Sequence, residues 1–143
     1  MSYEQLKLKN QLCHRLYMAS NSITRRYRPH LEALDLTYPQ YVVMMALWEQ
    51  DNITIAQLRE LTAIDGGALT LILKKMTTKS LIRIVSNEND KRKKHVKLLA
   101  GGLDLKVQAQ HIPEQIKCNF SNVNEEEVND LIALLDKVLV NLD

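Results

Sequence analysis

The chain has 143 residues and a mass of 16.5 kDa, enough for one domain with a sizeable core. Its composition, 45% apolar and 25% charged with three Pro and four Gly, excludes disordered, collagen-like and low-complexity classes. Two Cys and four scattered His exclude a disulfide scaffold and a structural zinc site, so no cofactor is expected. The longest uncharged stretch, residues 36–48, is too short for a membrane span, and Glu4, Lys7 and Lys9 speak against a signal peptide. A soluble, cytoplasmic protein with no membrane partner is the expectation. The net charge of +2 is segregated: +5 over residues 1–30, −5 over 31–73, +7 over 74–97 and −5 over 98–143. A +7 block of 24 residues in such a chain is the footprint of a polyanion binder.

Leu12, Leu16, Ala19, Ile23 and Tyr27 form a helical stripe that predicts a long first helix, interrupted at Pro29. Thr37-x-x-Gln40 is a capping box opening a second, buried helix over the apolar run 41–48. Asp51-Asn52 predicts a turn, and Thr54 caps a short helix over 55–61. Asp65 and Gly66-Gly67 precede a further helix over 68–79, with Leu69, Ile72, Leu73 and Met76 on one face and Thr70, Lys74, Lys75 and Thr78 on the other. Two short helices so joined make a helix-turn-helix.

Ile82, Ile84, Val96 and Leu98 alternate with polar neighbours around Asn87-Glu88-Asn89-Asp90, which predicts a β-hairpin whose tip is Lys91-Arg92-Lys93-Lys94. Gly101-Gly102 end the strand, and a mixed helix to about Phe120 follows. In the last helix Val128, Leu131, Ile132, Leu135, Val138, Leu139 and Leu142 share a face, with Asn124 as N-cap and Glu125 to Glu127 at the positive end. The fold class expected is mainly α with a small β-hairpin wing, a winged helix-turn-helix.

That arrangement suits duplex DNA. The second helix of the pair can offer Thr70, Lys74 and Lys75 to the major groove, while the hairpin tip reaches the adjacent minor groove. Beyond Trp48 the only Phe, Tyr or Trp is Phe120, far from the basic block, which disfavours single strands bound by base stacking.

Leu12-Cys13-x-x-Leu16-Tyr17, Leu36-Thr37-Tyr38-Pro39-Gln40-Tyr41, Asp65-x-Gly67-x-Leu69-Thr70-x-x-Leu73-Lys74-x-Met76 and Asp90-x-Arg92 resemble the MarR family of winged-helix regulators, and within it the organic hydroperoxide resistance regulators. The resemblance covers nearly the whole chain. It implies a single MarR-type domain over 1–143, with dimerisation helices in 1–35 and 101–143 and the winged helix-turn-helix in 37–100. A homodimeric repressor of a pseudo-palindromic operator is implied. The DNA-contacting positions would be Ala68, Thr70, Leu71, Lys74 and Lys75 on the recognition helix and Asp90, Lys91, Arg92 and Lys93 on the wing, Asp90 orienting the minor-groove Arg92.

By the same resemblance Cys13 matches a peroxide-reactive cysteine, and Tyr27 and Tyr38 match tyrosines that hydrogen-bond it from the other subunit. Cys118 matches a resolving cysteine, which implies an intersubunit Cys13–Cys118 disulfide after oxidation by organic hydroperoxide. Tyr17 and Tyr41 are read as core or pocket lining. Many relatives carry Pro where this chain has Leu71, Arg where it has Lys75 and Thr where it has Leu99; an Arg-to-Lys change loses the planar bidentate fork. Two alternatives stand beside this reading: a MarR-type repressor gated by a small apolar or phenolic ligand, and a thiol peroxidase. The basic block and the absence of a Cys-x-x-Cys argue against an enzyme.

Overall fold

Two single-turn 3-10 helices, Glu4–Leu6 and Leu8–Asn10, lead into the long helix α1, Leu12–Glu32, in a computed structural model that describes residues 3–140 and 142. There follow α2 (Tyr38–Glu49), β1 (Ile53–Thr54), α3 (Ile55–Thr62), α4 (Gly66–Thr78), β2 (Ile82–Ser86), β3 (Lys94–Leu98), α5 (Ala100–Ala109), α6 (Ile112–Lys117) and α7 (Glu125–Val140). The chain is mostly helical with one small antiparallel sheet, as predicted. It divides into two compact units, Met1–Gln110 and His111–Asp143.

α2 is the centre of the first unit. Thr37 Oγ1 accepts from the Gln40 amide at 3.3 Å and Gln40 Oε1 accepts from the Thr37 amide at 3.1 Å, so the predicted capping box is closed at both ends. Tyr41, Val43, Met44 and Leu47 are buried, and α2 packs against α1, α3, α4, α5 and β3. Leu58 of α3, Leu69, Leu73 and Met76 of α4, and Ile53, Ile82 and Val96 of the sheet complete this core. Thr54 caps α3 by the same reciprocal exchange with Gln57.

The hairpin pairs Ile82 with Leu98 and Ile84 with Val96, a register consistent with the alternation. A strand that the sequence reading omitted, β1, lies on the other side of β3, giving the order β1-β3-β2 with Ile53 opposite Val96 and Thr54 opposite His95. Two residues are too few to show a period, so β1 had no periodic signal to read.

Three further expectations are corrected. Pro29 does not interrupt α1, which continues to Glu32. A proline one turn from a helix end removes few internal hydrogen bonds. Here the last turn is held by buried Leu31, whose carbonyl accepts from the Leu36 amide at 3.0 Å. Gly66 and Gly67 belong to the first turn of α4 rather than preceding it, and Asp65 at the N-cap position makes no side-chain cap bond. The helix expected to run to about Phe120 is two, α5 and α6, separated at Gln110 and His111. Pro113, in the first turn of α6, is where proline suits a new helix start.

In the second unit Asn124 caps α7 as predicted, its Oδ1 accepting from the Glu127 amide at 2.8 Å. α7 buries none of its described residues.

At the base of the wing, α5 begins where Gly102 packs against the chain at Leu81. A Cβ at Gly102 would stand 2.5 Å from the Leu81 carbonyl oxygen. That oxygen accepts from the Leu99 amide at 2.9 Å, so it cannot retreat freely. The Gly102 carbonyl in turn accepts from the indole N–H of Trp48 at 2.9 Å, tying α5 to α2. Gly102→Ala is expected to destabilise the protein by about 1–3 kcal/mol, as overpacking does. Urea denaturation checks this, and an unchanged midpoint would show that α5 shifts aside without cost.

Candidate functional site

α4 turns Leu69, Leu73 and Met76 inward, which leaves Ala68, Thr70, Leu71, Lys74 and Lys75 exposed on its other faces. Thr70 spends its hydroxyl hydrogen on the Gly66 carbonyl at 3.0 Å, so toward a ligand its Oγ1 presents an acceptor. Among the described residues no carboxylate lies within ion-pair reach of Lys74, Lys75, Lys91 or Lys93. This face carries unneutralised positive charge.

The wing turns through residues 87–93, closed by the Asn87 amide on the Lys93 carbonyl at 2.9 Å and the Lys93 amide on the Asp90 carbonyl at 3.0 Å. Asp90 Oδ1 accepts from the Arg92 amide at 3.0 Å and from Arg92 Nε at 3.3 Å. One carboxylate therefore fixes both the tip backbone and the direction of a guanidinium whose side chain is 93% exposed. Lys94, expected at the tip, is the first residue of β3.

Between α3, the start of α4 and the wing lies an open groove of about 890 Å³, whose lining includes Gln57, Arg59, Thr70, Arg92, Lys94 and His95. Arg59, Lys94 and His95 were not singled out as site residues from the sequence. Arg59 carried a signal, as the one basic residue in the −5 block of 31–73. It lies over the start of α4, where its Nη1 would be 3.3 Å from a Cβ placed on Gly66.

A second cluster sits where α1 meets α2. The ring of Tyr27 lies 5.0 Å from that of Tyr38 and 5.6 Å from that of Tyr41, and Tyr41 makes an edge contact with Trp48 at 6.3 Å. Burial, reinforced by the neighbouring phenols of Tyr38 and Tyr41, pushes the Tyr27 hydroxyl up to about 12. Burial and Tyr38 raise Tyr41 as well. Both hydroxyls keep their protons at neutral pH and are available as donors. Tyr41 is core; Tyr17 is exposed at 66%, stacked on His14 at 6.3 Å.

Cys13 and Cys118 are both free and exposed. Cys13 is the second residue of α1, and Tyr27 lies 14 residues on along the same unbroken helix, about 21 Å away along the axis. The two do not meet within one chain. Cys118 caps the C-terminus of α6 in the second unit, its amide bonded to the Glu114 carbonyl at 3.1 Å.

A helix-turn-helix with a three-stranded wing and flanking helices has close counterparts. A profile described as MarR family matches residues 36–94. The organic hydroperoxide resistance transcriptional regulator of Bacillus subtilis (strain 168) is 36% identical over 140 residues, which cover 98% of this chain and 95% of the relative. The chain belongs to the MarR family of winged-helix regulators. Among solved structures, a cysteine-to-serine mutant of MarR from E. coli complexed with operator DNA superposes with a TM-score of 0.81 at 30% identity, covering 90% of this chain and 93% of that one. Reduced AbfR bound to DNA gives 0.77 at 25% identity, covering 98% and 96%. No helix among the described residues of this MarR-family chain is long and apolar enough to cross a membrane.

The raised Tyr27 value has a consequence for stability at high pH. The unfolded chain loses this proton near pH 10 while the folded protein holds it to about 12, so the folded state binds more protons in that window. Stability present below pH 10 is expected to fall as pH rises from 10 to 12, and to fall less in Tyr27→Phe. Urea denaturation of both proteins at pH 9 and 11 tests this; equal losses would refute it.

Proposed function

We propose that this protein is a cytoplasmic, homodimeric repressor that binds a pseudo-palindromic operator through α4 and the wing, and releases it when an organic hydroperoxide oxidises Cys13. The observation that carries the reading is the separation, along α1, of the exposed Cys13 from Tyr27, whose hydroxyl keeps its proton and whose ring lies against that of Tyr38. The sensor is then complete only between two copies of the chain. The B. subtilis relative, an organic hydroperoxide resistance regulator, supports the chemistry, and the DNA complexes of E. coli MarR and AbfR support the target.

Dimerisation through residues 1–35 and 101–143 is supported by apolar side chains with nothing to cover them in the single chain. α1 buries only Leu31 and leaves Leu12, Tyr17 and Met18 exposed, and α7 exposes Leu131, Ile132, Leu134 and Leu139. In such a dimer the two α4 helices would read half-sites about 10 bp apart. Lys74, Lys75, Lys91 and Lys93 would neutralise phosphates, Ala68, Thr70 and Leu71 would face base edges, and Arg92, steered by Asp90, would enter the minor groove.

Tyr27 and Tyr38 would donate hydrogen bonds to the Cys13 sulfur and favour its thiolate. The thiolate attacks one peroxide oxygen, the O–O bond breaks, and the alcohol leaves with a proton, producing a sulfenic acid. The Cys118 thiol of the partner subunit then attacks that sulfur, forming a disulfide and releasing water. A disulfide requires Cα atoms within about 7 Å. Closing it would draw in the terminal helices and turn the two DNA-binding lobes out of half-site register.

With roughly eight phosphates neutralised per dimer, log K against log salt should have a slope of about −7, and a slope near zero in gel-shift titrations would exclude this interface. Arg92→Ala should weaken operator binding. Cys13→Ser should bind the DNA upstream of its own gene normally and keep it under cumene hydroperoxide. Release by that variant at the wild-type dose would favour gating by a small ligand. On a non-reducing gel after mild oxidation the wild type should run as a covalent dimer, lost in Cys13→Ser and Cys118→Ser alike. A wild type that runs as a monomer yet still releases DNA would make Cys118 structural.

A further inference from the structure

Lys79 belongs by sequence to the +7 block, but its ammonium is taken up by the corner between α1 and α2. It is the residue that ends α4, and its Nζ donates to the backbone carbonyl of Asp35 and to Gln40 Oε1 at 3.2 Å, with Asp35 Oδ2 at 3.6 Å. Gln40 is 3% exposed, and the same Oε1 accepts from the Thr37 amide at 3.1 Å in the cap of α2. One ammonium thus holds the corner between α1 and α2 at both its edges, residues 35 and 40. Among the described residues, Lys79 makes the only side-chain hydrogen bonds from α4 or its cap to this corner.

Both ends of the tie are stiff. Lys79 and Ser80 lie in a closed turn, with the Lys79 amide on the Lys75 carbonyl, the Ser80 amide on that of Thr77 and the Leu81 amide on that of Met76. Asp35, in the left-handed region at φ 54°, lies between the end of α1 and the Leu36 amide that returns to Leu31. Between Asp35 and Gln40 stands Tyr38, whose ring packs on Tyr27 and Tyr41.

We infer that Lys79 is a positioning residue that couples the tyrosine cluster to the recognition helix. A displacement of Tyr38 moves the corner, and the corner moves the end of α4 through the ammonium. This rests on the DNA-binding reading and is independent of the chemistry at Cys13, since whatever moves Tyr38 is transmitted by the same contact. Lys79 contributes nothing to phosphate neutralisation.

The test is a double-mutant cycle on fully reduced protein, reading affinity for duplex DNA from upstream of its own gene. Tyr38→Ala should weaken binding about tenfold when Lys79 is present and no more than about twofold in Lys79→Met. Lys79→Arg, which keeps a charged donor, should restore the larger effect. The salt slope of Lys79→Met should equal that of the wild type, whereas a phosphate-binding lysine would lower it by about one. Equal effects of Tyr38→Ala in both backgrounds, no effect in either, or a reduced slope would each overturn the inference. If the wild type bound no duplex, the DNA-binding reading would fall by itself. The tie would then be read from amide exchange in the last turn of α4, which Tyr38→Ala should speed with Lys79 present and leave unchanged in Lys79→Met; equal rates would overturn it.

Discussion

A helix that is apolar on nearly every side cannot lie at a surface, and α2 organises the first unit because it must be enclosed. Its buried residues Tyr41, Val43, Met44 and Leu47 are covered by α1, α3, α4, α5 and β3, so α4, the inner strand of the wing and the helix that carries Cys13 are placed against one common support. Both of its ends are secured by polar contacts rather than by packing alone. The start is closed by Thr37 and Gln40, and the end is tied through the Trp48 indole to α5. α2 carries Tyr38 and Tyr41 of the tyrosine cluster and also packs on α4, so the two share one scaffold.

The length of α1 imposes the other constraint. Twenty-one residues without a break hold Cys13 at one end and Tyr27 near the other, and no side-chain motion closes a gap of about 21 Å. A sharp kink between residues 13 and 27 would have let the two side chains approach within one chain.

Much of the architecture was legible because its signals are local. Thr37 with Gln40, Thr54 with Gln57 and Asn124 with Glu127 are reciprocal pairs three residues apart, readable wherever they occur. The wing hairpin followed from the alternation of Ile82, Ile84, Val96 and Leu98. What escaped depends on partners distant in sequence. β1 exists only because Val96 and His95 lie beside it, Arg59 and His95 enter the groove only once α3 and the wing are assembled, and Lys79 is one more cation of the +7 block until Asp35 and Gln40 are found beside it. Leu99 has a plain local meaning. It occupies the N-cap of α5 and makes no cap bond, so a Thr at this position would supply an acceptor that this chain lacks.

The segment 51–54 holds two structures at once. Asp51 Oδ1 accepts from the Leu98 amide at the foot of the wing, Thr54 pairs with His95, and Thr54 also starts α3. The wing is thus rooted at residues 95–98, well away from its cationic tip at 90–93. Changes in tip length or charge leave that root untouched, so the tip is free to diverge by insertion or exchange while the mounting that aims it stays the same.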